Sequence, residues 1–392
     1  MKINRTTIYT LAFATLILSL PTTSNATAGT PLSATQKEQL SDAIETTQDQ
    51  EQLVGVQVAI VYGGTLAFSM SYGFADLEHS VPVISTTRFE IASITKAFTG
   101  LGLLMLDEES AIDLDAPIQE YVPRFPEKPE GVLTARMLAG ALGGIRHYSE
   151  TERTPRFYAT HYDDVADALD LFENDPLVAV PGEQVAYSSY GYNLLAAAIQ
   201  NAAGERFQDY IQKTILDPLE LENTGHIDVR FPMADRARMY SLLDPYTREE
   251  SDRLMVLPTM EHSYNAGGGN MYSTAEDLAR FGSQLLAPGF LSQQVYDQIY
   301  TPHQTRSGDA TWFSDGWVFL AWSANPRSLI AGGSYPGVQA ILRVYPDRGL
   351  VIALLSNSWG KSGGEGAFTR QLSGVLEKIV LSSADQPTKA SE

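Results

Sequence analysis

The chain has 392 residues, no cysteine, and 47 acidic against 27 basic residues, a net charge of −20 at pH 7. The lack of cysteine excludes a disulfide framework, a thiol nucleophile, thiolate metal sites and a lipobox anchor. The acidic excess repels nucleic acid and anionic lipid surfaces; it serves solubility and points to no particular substrate.

Residues 1–26 read as a secretory signal peptide. Lys2 and Arg5 supply the positive start, and Ile8 to Leu20 is an apolar run too short to span a bilayer. Pro21 and a polar, small-residue stretch end the run, which argues against a membrane anchor, and cleavage is expected after Ala26 or Ala28. About 365 residues then remain with a net charge near −22, enough for one large unit or two subdomains. An exported chain without cysteine suits a bacterial periplasm or exterior. Residues 382–392 are polar, lack apolar anchors and read as a flexible tail.

Leu53 to Tyr62 predicts a strand, Gly63-Gly64 a tight turn, and Thr65 to Tyr72 its hairpin partner. Ser93 opens a central helix, with Ile94, Ala97, Phe98, Leu101, Leu104 and Met105 at helical spacing. Residues 112–265 read as mostly helix and loop, broken by prolines at 117, 123, 126 and 129. Asn193 to Ala203 predicts a helix closed by Gly204, and Ser273-Thr-Ala-Glu276 a capping box opening a helix through Leu286. Trp317–Trp322, Val338–Tyr345 and Leu350–Ser356 read as strands, and Phe368 to Leu381 as an amphipathic helix. Strands at both ends around a helical middle predict an α+β fold in a single domain over 30–381. An antiparallel sheet from both termini (about 30–115 and 265–381), flanked by helices, would carry an inserted helical subdomain (about 116–264), with the site in the cleft between them.

The chemistry is carried by Ser93-Ile-Thr-Lys96. Residues three apart share a helix face, so the ammonium can sit beside the hydroxyl, and the helix N-terminus favours a developing anion. A dry site would let Lys96 lose its proton and take part in proton transfer. The bland alternative is a serine N-cap followed by a solvated lysine. A second match, Ser358-Trp-Gly-Lys361, precedes no helical periodicity and reads as a loop serine. A Ser-Lys nucleophile needs a proton relay, an oxyanion hole and a substrate rail. Tyr187, in Pro181-Gly through Leu195, lies just before a helix, and Ala331-Gly332-Gly333-Ser334 forms a glycine-rich edge before a strand.

These pieces, together with Ile112-Asp-Leu-Asp-Ala-Pro117, Leu133 to Tyr148 and Ala266-Gly-Gly-Gly through Arg280, resemble the serine β-lactamase-like family over about residues 40–380. That family spans class C β-lactamases, DD-peptidases of the same fold and many esterases. Gly144-Ile-Arg-His-Tyr148 and Tyr187 to Tyr192 are most similar to the branch of the mitochondrial β-lactamase-like peptidase of animals. The resemblance implies that Ser93 becomes acylated and that Lys96 and Tyr187 relay protons, the lysine charge lowering the phenol pKa from about 10. It further implies that the backbone N–H groups of Ser93 and Ser334 form the oxyanion hole, and that Ser189, Gly332 and Gly333 hold substrate.

Three departures narrow the reading. Ser189 stands where the family has asparagine, so a substrate amide is held less well or through water. Ala331 replaces the lysine or histidine of the third motif, which disfavours a β-lactam or D-Ala-D-Ala carboxylate unless Arg343 or another cation substitutes. Ala141-Leu-Gly-Gly144 replaces His-Thr-Ser-Gly, whose histidine supports the loop beneath the site. His147, Asn270 and Tyr272 are further candidates for lining the cleft. The six histidines lack metal-ligand spacing, so neither metal nor cofactor is expected. A secreted serine hydrolase of esters or amides is the leading reading, esterase or peptidase ahead of β-lactamase. A catalytically weak binding protein on the same fold is the alternative; an α/β-hydrolase is excluded because no Gly-x-Ser-x-Gly elbow occurs.

Overall fold

The computed structural model describes residues 31–382 except 150, 151, 153, 245, 248, 320–322, 325 and 362–365. The signal peptide, residues 383–392 of the tail and the end of the strand expected at Trp317–Trp322 lie outside the described residues. The main sheet contains β1 (Gly55–Tyr62), β2 (Thr65–Asp76), β3 (Val81–Pro82), β4 (Phe313–Ser314), β5 (Trp317–Val318), β6 (Leu329–Tyr335), β7 (Val338–Tyr345) and β8 (Leu350–Ser356). Their order is β3-β2-β1-β8-β7-β6-β5-β4, and every pairing is antiparallel. The α+β architecture with a sheet from both ends of the chain is therefore present. Its seam is the ladder between β1 and β8, running from Val56 opposite Ser356 to Tyr62 opposite Leu350.

β8 reads as an apolar run, and β1 as one broken only by Gln57, because both faces of the sheet are covered. One face packs on α1 (Ala34–Glu51) and α5 (Ala367–Leu381). The other faces the large core with α2 (Thr95–Glu108), α3 (Ser189–Ala203) and α4 (Ala275–Ser283). α1 has no counterpart in the sequence reading, although its signal was present. The Ser33 hydroxyl accepts from the Gln36 N–H and the Gln36 side chain accepts from the Ser33 N–H, a reciprocal capping box. Gln36 then donates to the carbonyls of Ile379 and Val380, both at 3.1 Å, joining the first helix to the last.

Other boundaries shift for local reasons. α3 starts at Ser189, four residues before Asn193, because the Ser188 hydroxyl accepts from the Gly191 N–H at 2.9 Å. α4 is capped by Thr274 rather than by a box on Ser273, and it ends at Ser283. The Ser273 hydroxyl is buried against Thr224 at 2.7 Å, and Glu276 accepts instead from Ser69 at 2.6 Å. The middle also holds strand the sequence reading lacked: a hairpin of Tyr240–Leu243 with Glu250–Val256, and Gly225–His226 in a small sheet with Met271–Ser273 and Phe89–Glu90. Among the described residues no helix is long and apolar enough to cross a membrane.

One buried side chain ties the sheet to the segment leading into the site. Gln57, on β1, donates to the carbonyls of Ile84, Ser85 and Thr87 at 2.6–3.3 Å and accepts from the Ala275 N–H at 2.9 Å. Gln57→Leu keeps the volume but strands these backbone groups, at a cost of about 1–3 kcal/mol for each polar group left unpaired in the interior. A thermal melt should show the midpoint falling by several degrees; an unchanged midpoint would mean that these bonds contribute nothing net.

Candidate active site

Ser93 lies in a 3₁₀ turn, Ala92–Ile94, immediately ahead of α2. The turn is strained: Ala92 has φ +45°, a left-handed conformation that costs a non-glycine residue about 1–3 kcal/mol. The Thr95 hydroxyl, donating to the Ala92 carbonyl at 2.7 Å, helps hold it. The helix cap is Ile94, which makes no side-chain cap bond, so Ser93 is free of that duty and the N-cap alternative falls. One turn on, Lys96 is fully buried because α2 is covered on nearly all sides.

The Lys96 Nζ lies 3.1 Å from Ser93 Oγ, 2.9 Å from Ser189 Oγ and 2.6 Å from the Gly268 carbonyl oxygen. No carboxylate among the described residues pairs with it. Burial alone lowers its pKa from 10.5 to about 7. The aromatic faces of Tyr187 and Tyr192 also lie against it, with centroids 4.9 and 5.6 Å from Nζ.

Tyr187 precedes the capping residue of α3, and its hydroxyl is hydrogen-bonded to Ser93. Burial pushes this phenol up to about 12, and the Ser93 bond offsets only part of the rise. The expectation that Lys96 would lower the phenol pKa is therefore overturned: desolvation moves both groups, the lysine down and the tyrosine up. The Tyr187 ring is fixed edge-on by Phe313 and His147, with centroids at 5.3 and 5.7 Å.

The oxyanion candidate comes from the sheet. Ala331 to Ser334 precede the strand β7, as expected, and lie inside a strand of their own, β6, since Leu329 and Ile330 already pair with β7. A Cβ at Gly333 would sit 2.0 Å from the Ile91 carbonyl oxygen and 3.0 Å from the Ser93 nitrogen, so only glycine lets the strand meet the nucleophile turn. Gly332 is different: nothing lies within 4 Å of the Cβ position, and the residue opens to the cleft. Beyond Ile330, β6 has no strand on this side among the described residues. The cleft encloses about 1590 Å³ of space, part of it open to solvent. Ser93, Tyr187, Gly332, Gly333 and Ser334 line it together, with His147, Tyr148, Tyr158 and Trp312.

A family model described as Beta-lactamase matches residues 40–375. The chain belongs to the beta-lactamase family. Its fold is that of a β-lactamase-like serine hydrolase. It is 27% identical to the serine beta-lactamase-like protein LACTB, mitochondrial, of Homo sapiens, over 82% of this chain and 76% of that protein. It is 26% identical to penicillin-binding protein 4* of Bacillus subtilis, over 82% of this chain and 72% of that protein. The solved structure of D-amino acid amidase from Ochrobactrum anthropi superposes with a TM-score of 0.74 at 22% identity, covering 88% of this chain and 99% of that one.

Where the chain departs from the beta-lactamase family pattern, the structure shows what each residue does. Ser189 is 1% exposed and sits behind Lys96, so its hydroxyl supports the lysine and does not face substrate as expected. Its N–H donates to His147 Nδ1 at 3.1 Å, which makes His147 both a cleft residue and a backbone partner. Ala331 is buried in the core. Arg343 cannot replace the missing cation, because it points to the opposite face of the sheet, beside Glu377 at 3.8 Å and over the Tyr345 ring. The arginine that reaches the cleft is Arg370 of α5. Asn270 and Tyr272 do not line the cleft: Asn270 is bound to the Ile227 carbonyl, and Tyr272 stacks with Arg88. Below Ala141, the buried pair His303–Asp315 (2.9 Å) packs its imidazole against Gly140. Support for that loop thus comes from a later segment. The sequence reading missed Tyr158, Trp312 and Arg370 because none sits in a motif. Among the described residues no group of His, Asp and Glu could hold a metal ion.

Gly332→Ala and Gly333→Ala form a matched pair. The first should leave the melting temperature within about a degree, having open space for the methyl, whereas the second must displace the Ser93 turn and should lower it by several degrees. Equal melting temperatures would show that β6 does not pack against the turn in this way.

Proposed function

We propose that the protein is an exported serine hydrolase that forms an acyl-enzyme on Ser93 and hydrolyses an ester or amide. The observation that carries this reading is the Lys96 amine, buried without a carboxylate, near neutrality in pKa, and 3.1 Å from Ser93 Oγ. A neutral amine has two N–H groups and one lone pair. The Gly268 carbonyl can only accept, Ser189 Oγ takes the second N–H, and the lone pair is left for the Ser93 hydroxyl proton.

The steps then balance. Ser93 Oγ attacks the carbonyl carbon as its proton passes to Lys96, and the tetrahedral oxyanion is held by the backbone N–H groups of Ser93 and Ser334. Collapse expels the leaving group, which takes the Tyr187 proton. The tyrosinate, beside the Lys96 ammonium, removes a proton from water, and the hydroxide attacks the acyl carbon. The second collapse returns Ser93 Oγ, which recovers its proton from Lys96. With Lys96 near 7 and Tyr187 near 12, each group begins in the protonation state its step requires above neutral pH.

The open edge of β6 at Gly332 suits a substrate chain lying along the strand. Ester or amide hydrolysis is favoured over β-lactam hydrolysis because Ala331 offers no cation. A catalytically silent binding protein of this fold would have no use for a buried, unpaired lysine.

The test is turnover of p-nitrophenyl acetate, with kcat/KM rising about tenfold per pH unit below 7 and levelling above it, as a base of that pKa requires. Ser93→Ala and Lys96→Met should abolish turnover. Lys96→Met should also raise the melting temperature, and by more at pH 6 than at pH 9. The sign follows from the folded pKa lying below the unfolded value of 10.5: the cost of burying the amine is full below pH 7 and fades as pH rises. Turnover that survives Ser93→Ala would end the hydrolase reading.

A further inference from the structure

β4 and β5 are joined by only two residues, Asp315 and Gly316, with Ser314 opposite Trp317. Both joining residues have positive φ, +51° and +88°, as the tight turn that matches a hairpin's twist requires, and Asp-Gly is a preferred pair for it. This turn is pressed onto α2 at the lysine. A Cβ at Gly316 would fall 2.3 Å from both the Lys96 carbonyl carbon and the Ala97 nitrogen, and one at Gly100 would fall 2.2 Å from the Asp315 carbonyl oxygen. Gly316 and Phe313 also line the cleft, so the hairpin is a wall between cleft solvent and the start of α2. The Phe313 ring meets Tyr187 and Tyr192 edge-on, with centroids at 5.3 and 6.0 Å, and those two rings lie against Lys96 Nζ.

A buried pair holds the turn from below. His303 Nε2 lies 2.9 Å from Asp315 Oδ2, with the two side chains 9% and 3% exposed. The His303 N–H donates to Ser314 Oγ at 2.7 Å, and Thr311 donates to the His303 carbonyl from its N–H at 2.8 Å and its hydroxyl at 3.0 Å. The Asp315 N–H donates to the Ala139 carbonyl at 3.0 Å, which also accepts from the Tyr192 hydroxyl at 2.7 Å. Burial works to lower the imidazole pKa, but the Asp315 carboxylate outweighs it and holds His303 above its ordinary value. The other charged or titratable groups facing the pair are Arg136 of the helix Ala135–Ala139, Asp115, bonded to Arg136 at 2.7 Å, and Tyr192 of α3. Such a pair holds only while both partners are present, since removing either leaves a buried polar group uncompensated.

We propose that His303 and Asp315 are positioning residues for Lys96: their pair locks the Asp315-Gly316 turn against α2, and the locked turn keeps cleft water from the amine. Neither side chain lines the cleft, so the pair acts through the backbone of Gly316 and the ring of Phe313. Dryness is what sets the strength of this base, because burial alone lowers the lysine pKa. A loosened turn lets water reach the ammonium, and the acid limb of activity then moves to higher pH with every residue that touches Nζ unchanged. The catalytic meaning of the pair rests on Lys96 being the base toward Ser93.

The test is the pH midpoint of kcat/KM for p-nitrophenyl acetate, expected at about 7 in the wild type. His303→Leu removes the pair, and Asp315→Gly removes it while keeping a turn that accepts positive φ. Both should raise the midpoint by about one pH unit, lowering kcat/KM about tenfold at pH 6 and little at pH 9. In Asp315→Gly such a rise cannot come from a stray carboxylate. His303→Gln, whose amide can still donate to Asp315, should recover most of the wild-type midpoint. Leu40→Ala, in the core on the other face of the sheet, should lower the melting temperature and leave the midpoint in place. Activity lost equally at pH 6 and pH 9 in His303→Leu and Asp315→Gly, with the midpoint unmoved, would overturn the inference. A second readout needs no turnover. The gain in melting temperature from Lys96→Met at pH 6 should be smaller in the His303→Leu background than in the wild type, since a hydrated ammonium costs less to hold. An equal gain would also overturn the inference. A smaller gain in a protein that turns over no ester would reject the hydrolase reading alone.

Discussion

A lysine sealed in the protein interior with no acid beside it is the constraint around which the molecule is arranged. Lys96 can be dry only because α2 is buried on nearly every side, and α2 can be so buried only because helices and a two-sided sheet enclose it. Each partner of its nitrogen comes from a different part of the chain: Ser93 from the preceding turn, Ser189 from α3, and Gly268 from the segment entering the small sheet. Charge burial of this kind works against folding, and the strained Ala92 adds to the cost. Both costs fall on the Ser93 turn and the first turn of α2, where the proposed function accounts for what stability alone would remove.

The same desolvation separates the two relay groups. It disfavours whichever form is charged, so a cation-forming amine moves down and an anion-forming phenol moves up, with the serine hydroxyl between them. No buried acid is needed to set this difference, and a carboxylate beside Lys96 would undo it by holding the ammonium charged. Ser189 fits this logic better than it fits a role toward substrate. A hydroxyl accepts from the amine without imposing charge.

The strands that form the sheet were legible because β1, β7 and β8 carry largely apolar runs, interrupted only by Gln57 on β1 and by Gln339 and Arg343 on β7, bounded by Gly-Gly and Pro-Asp-Arg-Gly turns. The SxxK turn and Tyr187 were legible through motif and order. What stayed hidden depends on contacts distant in sequence. Nothing near Arg343 says that its position on β7 points it away from the cleft, since strand alternation fixes a face only once the neighbouring layers are known. The glycines at 332 and 333 look equivalent in sequence, yet a methyl on Gly333 would strike the Ile91 carbonyl and one on Gly332 would meet nothing. The α1 capping box is written locally in Ser33 and Gln36, whereas the rise of the Tyr187 pKa comes from burial by residues distant in sequence.

The closing of the sheet by the last strands has a consequence for when the site comes into being. Ser93, Lys96 and Tyr187 emerge early from the ribosome, but β6, whose edge carries Ser334, comes more than a hundred residues after Tyr187, and the β1–β8 seam later still. On the proposed mechanism, a partly made chain therefore holds Ser93 without the Ser334 N–H beside it, and Lys96 still open to water, hence protonated. Chemical competence arrives only with the completed polypeptide. The topology acts as a timer: on the proposed mechanism, Ser93 stays idle until the strands that complete the sheet have been made and folded.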